Sequence, residues 1–328
     1  MTQFAEIQNH IASMDGLLDI VGAMRSLAGM RVQEAHNALP GIRRYADSMA
    51  AAIGAALLLV PQPKPEAGTG RVRRALILCA AEHGFVGTFN DRLLEAAEAV
   101  LRPSDAFVVL GSRGAALAAE RGRQVSWTRP MATRLAGIPD LVNSLAGELY
   151  GRVAQGEIAH VEVMFGRYRR GAPSAIERRL VLPLETAALA MAQPRQAPLH
   201  NLEPQPLFEE LMPEYVFALL TEAAVESIAS ENAARFMAME SAHDNVTRKL
   251  SELRQSAHQA RQAEITSELL DLIVGAEAAT AQAEHMLRWM HLIRRFTRRA
   301  TPSTSRFASD HLQAPASRWV SGTTPLSP

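Results

Sequence analysis

The chain has one cysteine, Cys79, among 328 residues. No internal disulfide and no thiolate zinc cluster can form, and a reducing compartment is expected. Lysine is nearly missing as well: Lys64 and Lys249 are the only two, and arginine supplies the rest of the basic charge. Charge of one sign is not in excess. With 34 basic and 34 acidic residues the net charge is zero, which argues against a chain built to coat nucleic acid or an anionic membrane. Long apolar runs are absent. The longest, Ala50 to Val60, falls short of the ~20 residues of a membrane span. The opening MTQFAEIQNHIASMDG lacks the basic-then-apolar order of a signal peptide. Aromatic residues make up only 5%, and between Pro213 and Ala300 there is no further proline and one glycine, Gly275.

What remains is ordinary for a chain that buries a core: 48% hydrophobic and 21% charged, rich in alanine, the best helix former. Apolar or small residues recur at Ile7, Ile11, Met14, Leu18, Val21, Ala28, Val32 and Ala35, with Arg25 at the one missing stop. Steps of four and three mark a coiled-coil seam. Tyr45 to Val60 continues the helix after an expected break at Pro40–Gly41. At the other end, Val246, Leu250, Leu253, Ala257 and Ala260 step likewise, and Ile265, Leu269, Leu272 and Ala276 repeat it after a phase shift. The two ends are expected to pair antiparallel, Ile11–Ala28 against Val246–Ile273.

Between them the pattern changes. PQPKPEAGTGRV (61–72) is a linker by composition. ALILCA (75–80) and AFVVL (106–110) read as buried parallel strands, each followed by a Gly-containing turn and a helix. Pro139–Val153 reads as a third helix, and His160–Tyr168 with Ala175–Leu184 as an antiparallel pair. The fold expected is mixed α/β and α+β: a long antiparallel two-helix coiled coil with a small Rossmann-like α/β domain inserted. The boundaries are 1–60 for the first coiled-coil helix, 72–185 for the insert and 205–280 for the second. Residues 281–328 form a basic helical extension and a disordered tail. Of these, 281–300 hold five arginines and one glutamate among Met286, Trp289, Met290 and Ile293.

Catalytic and ligand motifs are weak. In EHGFVGTFN (82–90), Gly84 and Gly87 do not fit G-x-G-x-x-G, and no P-loop lysine follows. Glu82 and His83 have no third partner for acid–base work, so surface roles are expected. Cys79 sits mid-strand as a buried thiol. His285 and His291 lack the three- or four-residue spacing of helical metal ligands. Arg167, Arg169, Arg170, Arg178 and Arg179 surround a turn and read as a solvated loop or an acidic-partner site. No cofactor, metal or catalytic residue is expected.

SENAARFMAMESAHDN (230–245) and ARQAEITSELLDLIVGAEA (260–278) closely resemble the gamma subunit of F-type rotary ATP synthases. The matching positions include Ser230, Glu231, Ala234, Arg235, Met237, Met239, Asn245, Arg261, Gln262, Ile265, Thr266, Glu268 and Gly275. Ile20, Ala23, Met24 and Ala28 match its N-terminal motif, and Gly84, Gly87 and Asn90 its "D-R-G-L-C-G-x-x-N" turn. That resemblance implies a non-catalytic rotor shaft with no nucleotide site, coupling proton or sodium flow to ATP synthesis or hydrolysis in a head of alpha and beta subunits. It implies head contacts at Met24, Arg261, Gln262 and Thr266. It also implies a foot at Glu203–Pro204 facing the epsilon subunit and the membrane ring, on the cytoplasmic face of a bacterial inner membrane. Asp19 and Met30 stand where the family has lysines, Ala257–His258 replaces its "Y-N", and the chain runs fifty residues past the usual end. A scaffold or inhibitory paralogue that binds the head without rotating is the alternative. A small nucleotide-binding enzyme is a third option, which leaves both long helices unexplained.

Overall fold

A computed structural model describes residues 3–59, 73–169, 171–184 and 199–297. The chain divides into two compact units, Met1–His258 and Gln259–Pro328. The linker at 61–72 and the tail past 297 lie outside the described residues.

Helix α1 spans Gln3–Ala56. Its buried positions Val21, Ala28 and Ala35 repeat every seven residues, and Leu39, Ala46 and Ile53 continue at the same period. This seam runs through Pro40, so the expected break is not there. A proline inside a helix costs ~3 kcal/mol or more; burial of Leu39, Ala46 and Ile53 along one face offsets it.

The insert follows: β1 Arg73–Cys79, α2 Phe89–Glu98, β2 Ala106–Leu110, α3 Ser112–Glu120, β3 Trp127–Arg129, α4 Ile138–Ala154, β4 Ile158–Arg167 and β5 Ala175–Leu182. The sheet order is β3-β2-β1-β4-β5. The first four strands are parallel, and β5 runs antiparallel to β4 at the edge. Strand β3 is too short and polar to show a sequence period. Alternate residues of β1 face opposite layers. Ala75, Ile77 and Cys79 pack with α4 and the long helices, while Leu76 and Leu78 pack with α2 and α3.

Helix α5 spans Pro204–Thr297 and begins at its proline, whose missing N–H would have no helical partner there anyway. Within the first unit it runs antiparallel to α1. Arg254 meets Asp15 at 3.1 Å, Glu240 meets Arg25 at 2.9 Å, and Glu214 accepts from Tyr45 Oη at 2.6 Å. Phe236 lies against Gly29, where an added Cβ would touch its ring at 3.4 Å. Asp15–Gly29 therefore faces Phe236–Arg254, not the more distal register expected from the heptads. A seven-residue repeat specifies the buried face but is nearly degenerate to sliding. The polar pairs and the ring-to-glycine contact select one alignment. At the far end of α1, Ile53 and Leu57 close over Phe208, Leu211 and Tyr215.

Glu82, after β1, is a staple rather than an acid–base group. Its carboxylate accepts from Ser112 N–H (3.0 Å), Ser112 Oγ (2.7 Å) and Met131 N–H (2.8 Å). Burial works against the charged form, but these donors outweigh it and hold the carboxyl below its ordinary value. Stabilisation from this group is thus present above the unfolded carboxylate range and lost as pH falls through its depressed value. Glu82→Gln is expected to lower stability at neutral pH by about 1 kcal/mol, the scale of a hydrogen bond to a half-exposed charge. The deficit should shrink on acidification. Urea melts at neutral and acid pH check this, and an equal deficit at both would contradict it.

Candidate functional site

The carboxyl ends of parallel strands are where open α/β sheets bind ligands. Here α5 crosses the ends of β1 and β4 and fills that edge with its own side chains. Six polar residues of α5 do this along two neighbouring ridges, each stepping by four: Glu222, Glu226 and Ser230 on one, Ser227, Glu231 and Arg235 on the other. Steps of four lie almost in line on a helix surface. All six are buried.

Each has a partner. Ser227 Oγ donates to Cys79 O and Ser230 Oγ to Gly166 O, both at 2.7 Å. Arg235 reaches the backbone oxygens of His83 and Gly84 in the turn after β1, and is braced by Glu231 at 2.6 Å and Asn232 at 3.0 Å. Burial pushes the Glu231 carboxyl up, against the pull of Arg235. Glu226 accepts from Tyr168 N–H at 3.0 Å and from Arg43 of α1. Glu222 accepts from Arg43 at 3.0 Å and from Arg179 of β5 at 2.5 Å. Burial opposes the charged guanidinium of Arg43, yet the two carboxylates overcome it and raise its pKa; Arg179 is raised in the same way by Glu222 and Glu177.

Gly166 makes the close approach possible. A Cβ there would lie 2.8 Å from the Phe89 ring and 2.9 Å from Ser230 Cβ. Beside the seam, the turn 82–88 carries Phe85 at φ 62°, exposed, with Arg235 holding the backbone before it.

The residues singled out by the family resemblance fall in three places. Met24 is half-buried on α1, next to Arg25, which pairs with Glu240. Arg261, Gln262 and Thr266 belong to the second unit. There Arg261 bonds Glu264 at 2.9 Å and Thr266 Oγ1 donates to Gln262 O at 2.8 Å. Glu203 and Pro204 stand at the start of α5, where Glu203 O accepts from Leu207 N–H at 3.2 Å. The arginines around the β4–β5 turn are largely paired: Arg167 with Glu177 at 2.8 Å, and Arg179 with Glu177 and Glu222. Burial raises the Cys79 thiol to about 12, as expected for an inert core cysteine. Among the described residues no group of three His, Cys, Asp or Glu is placed to hold a metal.

The second unit is helical through Thr297. Its apolar side chains Ile265, Leu269, Leu270, Leu272, Ile273 and Val274 are all exposed. Sequence inspection alone missed the two polar ridges. Their signal was polar residues four apart within the most apolar stretch of α5, where a solvent-facing stripe is not expected.

A family model described as ATP synthase matches residues 3–279. The ATP synthase gamma chain of Moorella thermoacetica is 27% identical over 294 residues, covering 85% of this chain and 99% of that one. The gamma chain of Methylobacterium sp. (strain 4-46) is 29% identical over 293 residues, covering 85% and 100%. Among solved structures, a chain in the OSCP/F1/c-ring structure of Euglena gracilis mitochondrial ATP synthase superposes with a TM-score of 0.56 at 13% identity. It covers 93% of this chain and 99% of that one, a likeness of fold.

Proposed function

This chain belongs to the ATP synthase family as a gamma subunit, the rotor of the central stalk, and on that premise we propose which of its surfaces meet which partners. Met24 on α1 meets the alpha/beta head, and so, each argued by itself, do Arg261, Gln262 and Thr266 of the second unit. The end marked by Glu203 and Pro204, together with the α/β domain, faces epsilon and the membrane ring. Torque from ion flow through the ring enters at that foot, and the asymmetric helical surface biases each catalytic site toward a different state as it turns. A surface that touches the sites unequally shifts their equilibria unequally.

The observation that carries the head contact is the exposed apolar run from Ile265 to Val274. Exposed apolar side chains clustered in this way suit a protein–protein interface. Arg261 supplies a planar fork for a carboxylate at its margin. Among the described residues no helix is long and apolar enough to cross a membrane. We place the assembly on the cytoplasmic face of a bacterial inner membrane, held there through its partners.

Site-directed crosslinking in the assembled complex tests these placements. Cys79 is buried, so an introduced cysteine is this chain's one accessible thiol. Arg261→Cys is expected to crosslink to beta, and Glu203→Cys to epsilon or the ring. Crosslinks from position 203 that reach only alpha or beta would overturn the orientation. Arg261→Ala should lower ATP synthesis in membranes with the chain still folded, and Met24→Lys should lower it more than Met24→Leu.

A further inference from the structure

Helix α5 is fastened to the rest of its unit in two chemically different ways. Val216, Leu220, Ala223, Ala224 and Ile228 bury apolar surface against the sheet. Such contact resists separation but is non-directional, so it tolerates small rotations and slips. The polar ridges are directional, because hydrogen bonds weaken steeply with angle and distance.

The strongest directional point is a four-residue junction. Glu222 and Glu226 stand one helical turn apart on α5, 7% and 2% exposed. Arg43 of α1 spans both carboxylates. Arg179 of β5 closes Glu222 from the sheet side, and the Tyr168 N–H after β4 closes Glu226. Three elements that are distant in sequence thus converge on two adjacent carboxylates. A rotation of α5 past its neighbours would carry both away from their cations, and a one-turn slip would set one carboxylate in the other's place and leave the second without a cation. Buried ion pairs add little net stability over apolar packing, and their best-attested use is to fix register.

Resting on the rotor assignment above, we propose that Arg43, Glu222, Arg179 and Glu226 form a torsional key. They are positioning residues that lock the helical pair to the sheet domain at one angle, so that torque entering the domain passes into the pair without slip. Arg179 belongs to the domain assigned to the foot but turns inward to Glu222 and Glu177, and the action of the key does not depend on touching head or ring.

The test uses the complete complex containing this chain, reconstituted in vesicles. ATP hydrolysis and ATP-driven ion pumping are measured on one preparation. Glu226→Gln keeps the shape and removes the charge; Arg179→Met removes the sheet-side cation; Glu226→Asp keeps the charge. For the first two, the ratio of pumping to hydrolysis is expected to fall about fivefold or more, the low end of couplings between linked sites. Glu226→Asp should recover part of it. A purely structural role would lower the melting temperature or the yield of complex and leave the ratio untouched, and that result overturns the proposal. Should Glu226→Gln fail to fold, a wild-type ratio in the more exposed Arg179→Met is sufficient to overturn it. Failure of the unsubstituted complex to pump would instead sink the rotor assignment.

Discussion

Replacing Arg74 by methionine is expected to destabilise the sheet domain by about 3–5 kcal/mol, the cost of removing one partner from a buried ion pair. Arg74 opens β1 with its side chain only 13% exposed. Its guanidinium meets Asp105 at 2.6 Å, Glu162 at 3.1 Å and Val100 O at 2.5 Å. It therefore ties β1 to β4 and to the loop before β2. Asp105 is 3% exposed and also accepts the Arg102 N–H at 2.9 Å. Without Arg74 that carboxylate stays buried with little to balance its charge. Removing both charges should be milder. Arg74→Met with Asp105→Asn is expected to recover part of the loss, because the uncompensated charge goes with it. Urea denaturation of Arg74→Met, Asp105→Asn and the double variant beside the unsubstituted chain decides the matter. A double variant as unstable as the sum of its singles would show that the pair does not act as a unit.

Gly166→Val should have an effect of similar size by a different route. The branched side chain would enter space already held by Phe89 and Ser230. Overpacking of this kind costs about 1–3 kcal/mol. If α5 moves away to relieve it, the Ser230 hydroxyl loses Gly166 O and is left buried, at about 1–3 kcal/mol more. Gly166→Ala should be the lesser lesion. Pairing Gly166→Ala with Ser230→Gly, which clears the opposing Cβ, should recover packing but not the hydrogen bond. Circular dichroism melts order the three variants, and a Gly166→Val protein as stable as the starting chain would refute the close contact. In the assembled complex, Gly166→Val should also impair rotor function, since it loosens the same seam that holds the key residues.

The chain's amino-acid order was enough to establish most of its elements and their kinds, β3 excepted. Val21, Ala28 and Ala35 lie one heptad apart, and a helix can bury such a row only by pairing. The short apolar runs at β1 and β2, each followed by a turn and a helix, point to parallel strands, because a parallel neighbour needs a crossover of that length. The heptad rows and the near absence of proline and glycine after Pro213 pointed to the long helices. Sequence alone misplaced the helix break at Pro40, because proline's local cost is visible in the chain and the burial that offsets it is not. It also misjudged the alignment of α1 with α5, since a heptad looks the same after every seven residues. Tertiary structure decided both, and it alone revealed the polar seam. Glu222, Glu226 and Arg235 look like solvated helix residues until β1, β4 and α1 are brought around them. Their partners Arg43, Gly84 and Arg179, like Cys79 and Gly166 opposite Ser227 and Ser230, are scattered through the chain. Hydrophobic periodicity is a local property and can be read along a strand or helix. The pairing of buried polar groups depends on distances between remote residues, which only the folded chain sets.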